Sequence, residues 1–171
     1  VKLPPHITAA TGMDALTHAV EAFIGRSNTK KTKQWSIDAI KLIFENLYEA
    51  YTNGNNITAR KNMQKAAYLA GMAFTRAYVG YVHAIAHTLG GFYNTPYGLA
   101  NAIILPYVLE YYGGTVHTPL AKLADLVGVS KPTDTNEQKA KKFIQAIRDL
   151  NDRMEIPRKV NGIIDRDIPI I

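Results

Sequence analysis

The chain has 171 residues, 47% of them apolar, which allows one domain with a buried core and excludes a disordered polypeptide. It has no cysteine, so disulfides and thiolate ligands are excluded and any metal must be held by nitrogen and oxygen. The net charge is +6, but the basic residues are spread out, and the small clusters at residues 30–33 and 139–142 read as solvated helix faces, not as a nucleic-acid patch. Apolar spacing predicts a first helix over about 8–25, capped by Thr8 or Thr11 and stopped by Gly25. A second covers about 32–52, from Trp35 through Ile40, Ile43 and Leu47 to the stop at Asn53-Gly54. A third, about 58–79, is rich in alanine and glycine at its middle and should pack closely on a neighbour. A fourth, about 80–92, leads into the loop Asn94-Thr95-Pro96-Tyr97-Gly98. The fifth, about 98–112, is strongly apolar, and Pro106 within it predicts a kink or an early end. A short sixth helix at about 118–127 has Pro119 in its first turn, and the seventh, about 135–153, opens near Asp134.

Nothing alternates with period two for long enough to make a sheet, and no repeat, low-complexity tract or internal linker is visible. The expected fold class is all-α, a bundle of about seven helices forming one domain over 1–171. No apolar stretch reaches the length of a membrane span, so no membrane partner is expected. There is no leader of the secretory kind, and the absence of cysteine is compatible with the cytoplasm. Both ends read as cut: Val1 is not a methionine, and Asp165–Ile171 closes on apolar residues without a stop signal.

Two segments carry the chemistry. One is Asp14-Ala15-Leu16-Thr17-His18, and the other is His83-Ala84-Ile85-Ala86-His87. Residues four apart on a helix project from one face, one turn from each other. Two such helices facing across a cleft can build a divalent metal site, and carboxylate with imidazole suits zinc, iron or a similar ion. Each pair has a plain alternative: Asp14 at a helix start, His18 satisfied near the surface, and the second pair buried as packing. Together they favour a metal or active site in which positions 14, 18, 83 and 87 converge. His6 and His117 fall in polar or proline-rich stretches and read as exposed loop residues. No glycine-rich phosphate loop and no Ser-His-Asp arrangement occurs, and the adjacent His-Asp pair usual in helical phosphohydrolases is missing.

The segment from Thr8 to Ala22 (TAATGMDALTHAVEA) resembles one signature of the iron-containing, group III alcohol dehydrogenases. The segment from Gly80 to Pro96 (GYVHAIAHTLGGFYNTP) resembles the other, and the similarity runs on through Ala100–Pro106. The resemblance implies a dehydroquinate synthase-like C-terminal domain, the helical metal-binding half of such an enzyme, shorter than usual at its C-terminal end. NAD or NADP would be bound by an N-terminal half outside these residues. It implies Asp14, His18 and His83 as ligands of a divalent metal, iron or zinc. The family's fourth ligand is a histidine where this chain has Tyr97, a poor donor to ferrous iron or zinc near neutrality because of its high pKa. Some members of the superfamily work without a metal. His87 would lie beside the metal as a proton relay or cofactor contact, and Phe74 near the substrate pocket or in the core. The implied reaction interconverts a primary alcohol and an aldehyde by metal-assisted hydride transfer, with homo-oligomers possible and no turnover by the 171 residues alone. The alternative is a stand-alone helical domain with a degenerate metal site, serving as a structural or subunit-contact module.

Overall fold

The computed structural model describes residues 2–163, and among them are seven α-helices and one short 3-10 turn. They are α1 Pro5–Ile24, α2 Lys30–Thr52, α3 Ile57–Ala77, α4 Tyr81–Tyr93, α5 Tyr97–Tyr112, the turn Gly113–Val116, α6 His117–Leu126 and α7 Asn136–Arg153. No strand occurs among the described residues, as the missing period-two pattern implied. The apolar terminus expected to mark a cut end, Asp165–Ile171, lies outside them, as does Val1.

Helix starts follow local chemistry more closely than apolar periodicity. α1 begins at Pro5, earlier than the spacing suggests, because proline at the first helical position has no N–H to leave unpaired. Thr8 and Thr11 do not cap it; their hydroxyls donate back to the carbonyls of Pro4 at 3.1 Å and Ile7 at 2.7 Å. α2 is capped by Thr29, which exchanges hydrogen bonds with Thr32, and α7 by Thr135, which does the same with Gln138. Asp134 stands just outside that cap, accepting from the Lys131 N–H at 2.7 Å and from Lys142 at 2.6 Å.

α1 packs against α2, α3 and α5, and most of its surface is buried. That is the environment required by a helix whose apolar residues, Met13, Leu16, Ala19, Val20 and Phe23 among them, reach round much of its surface. The buried side chains of α3 are all small, Ala59, Ala66, Ala70, Ala73 and Ala77, so the two helices come close, as its composition implied. α5 crosses the first half of α1 at Gly98, where an added Cβ would lie 2.6 Å from the Ala10 carbonyl oxygen. This contact brings the start of α5 beside Asp14.

Pro106 neither ends α5 nor shortens it; the helix runs on to Tyr112. A proline deprives the carbonyl four residues earlier of its intrahelical donor, here Ala102. Asn151 on α7 supplies the substitute, its Nδ2 donating to the Ala102 carbonyl at 2.7 Å in a buried position. We therefore expect Asn151→Ala to lower unfolding stability by about 1–3 kcal/mol, the usual cost of a buried unpaired carbonyl. In a Pro106→Ala background the same change should cost measurably less in urea titrations, because the helix can then satisfy Ala102 itself. Equal costs in both backgrounds would refute the pairing.

Candidate metal centre

Asp14, His18 and Glu21 are spaced by four and three residues along α1, so they share one helical face. His83 of α4 meets that face. Its Nε2 is 3.8 Å from Asp14 Oδ1, and His18 Nδ1 is 3.7 Å from Asp14 Oδ2. The two imidazole rings are 4.2 Å apart at 37°. One ligand atom from each of Asp14, His18 and His83 can be chosen so that all lie within 4.8 Å of one another. Three of the four residues singled out from the sequence therefore come together.

The start of α4 explains how His83 is held. The helix has no side-chain cap of its own. The carboxylate of Glu21 caps it from α1, with Oε2 accepting from the Gly80 N–H at 2.9 Å and Oε1 from the Val82 N–H at 2.8 Å. Gly80 permits this approach, since a Cβ there would sit 2.8 Å from Glu21 Oε1. Oε2 also lies 2.5 Å from His83 Nδ1. Both side chains are almost fully buried, at 1% exposed for His83 and 2% for Glu21. A carboxylate only accepts, so Nδ1 carries the proton and Nε2 the lone pair. That Nε2 is buried, faces Asp14 and has no hydrogen-bond partner among the described residues. A buried acceptor nitrogen fixed by a carboxylate behind it, beside a second imidazole and a carboxylate, fits a divalent cation.

Asp14 is held in turn by Asn101 of α5, whose Nδ2 donates to Oδ1 at 2.6 Å. Asn101 is fully buried, and its Oδ1 has no partner among the described residues. Burial pushes the pKa of His18 below its ordinary 6.5, although Asp14 pulls it the other way. The ring is thus held toward its neutral, metal-binding form. Phe74 stacks on His18 at 4.2 Å and 23°. It also packs on Ala22, Ala73 and Ala77, so it belongs both to the core and to the wall of the site.

His87 does not join the cluster. It stands one turn further along α4, exposed, and is linked to the site through Tyr97. The Tyr97 hydroxyl is 3.2 Å from His87 Nε2, and the Tyr97 ring lies 4.8 Å from that of His87 and 5.8 Å from that of His83. Burial raises the Tyr97 pKa above its ordinary 10.0; Asn101 works against this, while Asp14 and Glu21 add to it. Of the remaining histidines, His6 is exposed but lies within α1, and His117 is half-buried at the first position of α6; neither is in a loop.

Glu21 and Asn101 had no role assigned from the sequence. Glu21 could have been found from its register with Asp14 and His18, a carboxylate on the same face of an apolar helix. Asn101 carries no such signal, because only the crossing of α5 over α1 brings it to Asp14.

The arrangement defines a helical domain with a candidate centre of one carboxylate and two imidazoles, each steadied by a buried partner or a stacked ring. Residues 8–169 match the family model described as Fe-containing alcohol dehydrogenase family, C-terminal, and the chain belongs to that family. The 1,3-propanediol dehydrogenase of Klebsiella pneumoniae is 44% identical over 168 residues, which is 97% of this chain and 43% of that protein. Alcohol dehydrogenase 4 of Saccharomyces cerevisiae is 42% identical over 171 residues, 99% of this chain and 44% of that protein. The solved structure of a 1,3-propanediol oxidoreductase has a TM-score of 0.96 at 43% identity, covering 99% of this chain and 45% of that one. The chain thus spans less than half the length of these relatives. No helix among the described residues is long and apolar enough to cross a membrane.

Proposed function

We propose that these residues are the metal-binding domain of an NAD(P)-dependent alcohol dehydrogenase acting on a small primary alcohol or aldehyde. Asp14, His18 and His83 would hold one divalent ion. The observation that carries this reading is the buried Nε2 of His83, without a hydrogen-bond partner among the described residues and facing Asp14. When bound, such an ion supplies Lewis acidity toward an alcohol or carbonyl oxygen.

The chain's own residues divide the remaining work. Glu21 keeps the proton on Nδ1 of His83 and so keeps Nε2 a ligand. Asn101 fixes the rotamer of Asp14. Phe74 covers one face of His18 and keeps water from it. His87, exposed and hydrogen-bonded to Tyr97, is placed to pass a proton between the centre and solvent. The NAD(P) site lies, on this reading, in the part of the relatives that the 171 residues do not span.

Equilibrium dialysis against Zn(II), or against Fe(II) without oxygen, should give one bound equivalent, lost in Asp14→Ala. The 171 residues by themselves should show no NAD-dependent oxidation of a primary alcohol, since the described residues are all-helical and hold no strand from which a dinucleotide-binding sheet could be built; robust turnover would contradict that expectation. One observation favours a second reading, a non-catalytic helical module with a degenerate site: Tyr97 stands where the family resemblance expects a histidine. A chain that takes up no metal in the dialysis would support it.

A further inference from the structure

We propose that the groove between α1 and α3 is a ligand site separate from the metal centre, and that it takes a medium-chain carboxylate. The head would sit on Arg60 and Lys61, and the hydrocarbon would lie along both helices. The proposal goes beyond the metal-binding reading and does not depend on it.

The groove encloses about 480 Å3 between the first halves of the two helices. It lies on the face of α1 that carries Thr8, Gly12 and Ala15, turned away from the face of Asp14, His18 and Glu21. Its walls are apolar over most of their length, from Leu3 and Ile57 at one end, past Met63, to Ala15 and Ala67 at the other. Leu3, Ile57 and Ala67 are exposed, so apolar surface stands open to water here.

The polar part of the groove is cationic. Arg60 and Lys61 line it and no carboxylate does. Neither forms an ion pair among the described residues. No Asp or Glu occurs between Glu49 and Glu110, a stretch that holds Arg60, Lys61, Lys65 and Arg76. Arg60 is half-buried, and neutral oxygens alone hold its guanidinium. Its Nε donates to the Gly54 carbonyl at 3.1 Å, one terminal nitrogen to Thr8 Oγ1 at 2.7 Å and the other to the Leu3 carbonyl at 3.1 Å. A guanidinium has five N–H groups, so one remains on each terminal nitrogen. Two such donors on a fixed planar cation match the two oxygens of a carboxylate, and Lys61 adds a second positive charge.

The length of the groove sets the size of the ligand. Thr8 to Ala15 on α1, and Arg60 to Ala67 on α3, each cover a run of about 10 Å at ~1.5 Å per residue. An extended chain of about eight carbons spans that distance, given C–C bonds of about 1.5 Å at tetrahedral angles. Octanoate is therefore the probe, with 1-octanol and acetate as its neutral and chainless counterparts.

Binding to the 171-residue chain is followed by the signals of carbon-13-labelled methionine methyl groups. Met63 reports the groove, and Met154, buried after the end of α7, is the control. Octanoate should move the Met63 signal to saturation and leave Met154 in place. Octanol should bind at least about tenfold more weakly, because it loses the charge-assisted bonds, and acetate about 100-fold or more, because it buries no hydrocarbon chain. Lys61→Glu should weaken octanoate about tenfold and leave octanol unchanged. Ala67→Leu, which fills the groove, should weaken both. Both positions are exposed, so neither change threatens the fold as loss of Arg60 would.

Equal affinity for octanoate and octanol, or for octanoate and acetate, would overturn the proposal. So would a Met63 signal that octanoate does not move, or octanoate affinity unchanged by Ala67→Leu. None of these results bears on Asp14, His18 and His83, whose metal uptake is read separately by dialysis.

Discussion

Tyr97→His is expected to tighten divalent metal binding on the order of 100-fold, roughly 3 kcal/mol. Tyr97 is the first residue of α5, and its ring lies 5.8 Å from that of His83. A phenol at neutral pH is a protonated oxygen and a weak donor to zinc or ferrous iron, and burial moves this one further toward the protonated form. An imidazole at the same place adds a neutral nitrogen to a set that already has two. The cost is small. His87 loses its contact with Tyr97, but it is exposed and water can replace the hydroxyl. Tyr97→Phe is the control, and its metal affinity should stay close to that of the wild-type chain. Competition against a chelator of known affinity reads both variants. An unchanged Tyr97→His would mean that position 97 does not look into the centre.

Glu21→Ala should be the most damaging single change near the site. It removes the acceptor of the Gly80 and Val82 N–H groups and the partner of His83 Nδ1, all at a buried carboxylate. The loss should cost about 3–5 kcal/mol of stability, as expected when one member of a buried pair is deleted. It should also weaken metal binding by about 10–100-fold, because nothing then fixes the tautomer and tilt of His83. Glu21→Gln separates the two effects. Its amide oxygen can serve Gly80 and His83 while its NH2 group faces the Val82 N–H, which loses its acceptor. The glutamine variant should therefore lie between wild type and alanine in both urea stability and metal affinity. Full metal affinity in Glu21→Ala would show that Glu21 matters only to the start of α4.

The helices were legible in the sequence because their apolar stripes are long and regular. α7 is the plainest case, with Ala140, Phe143, Ile144, Ile147 and Leu150 all buried as their spacing predicts. What failed locally was cap chemistry. Thr8 and Thr11 look like caps, but Pro5 starts α1 before them. Pro106 looks like a break, and its effect is offset by Asn151, 45 positions away on another helix, which no local pattern can reveal. The same limit applies at the centre. Spacing four apart paired Asp14 with His18 and brought His83 to attention, and those three do meet. The same spacing pointed equally to His87, yet one turn of α4 carries it out to the exposed side of Tyr97. Asn101 depends on the crossing of α5 over α1 at Gly98, a tertiary contact with no sequence period.

The central claim is that Asp14, His18 and His83 together hold one metal ion. X-ray absorption at the metal edge of the loaded chain tests it most directly, because imidazole rings give a distinct multiple-scattering pattern. The account predicts two imidazoles with oxygen donors completing the shell, falling to one imidazole or to no bound metal in His83→Ala. A shell of oxygen alone, or an unchanged spectrum in His83→Ala, would contradict it.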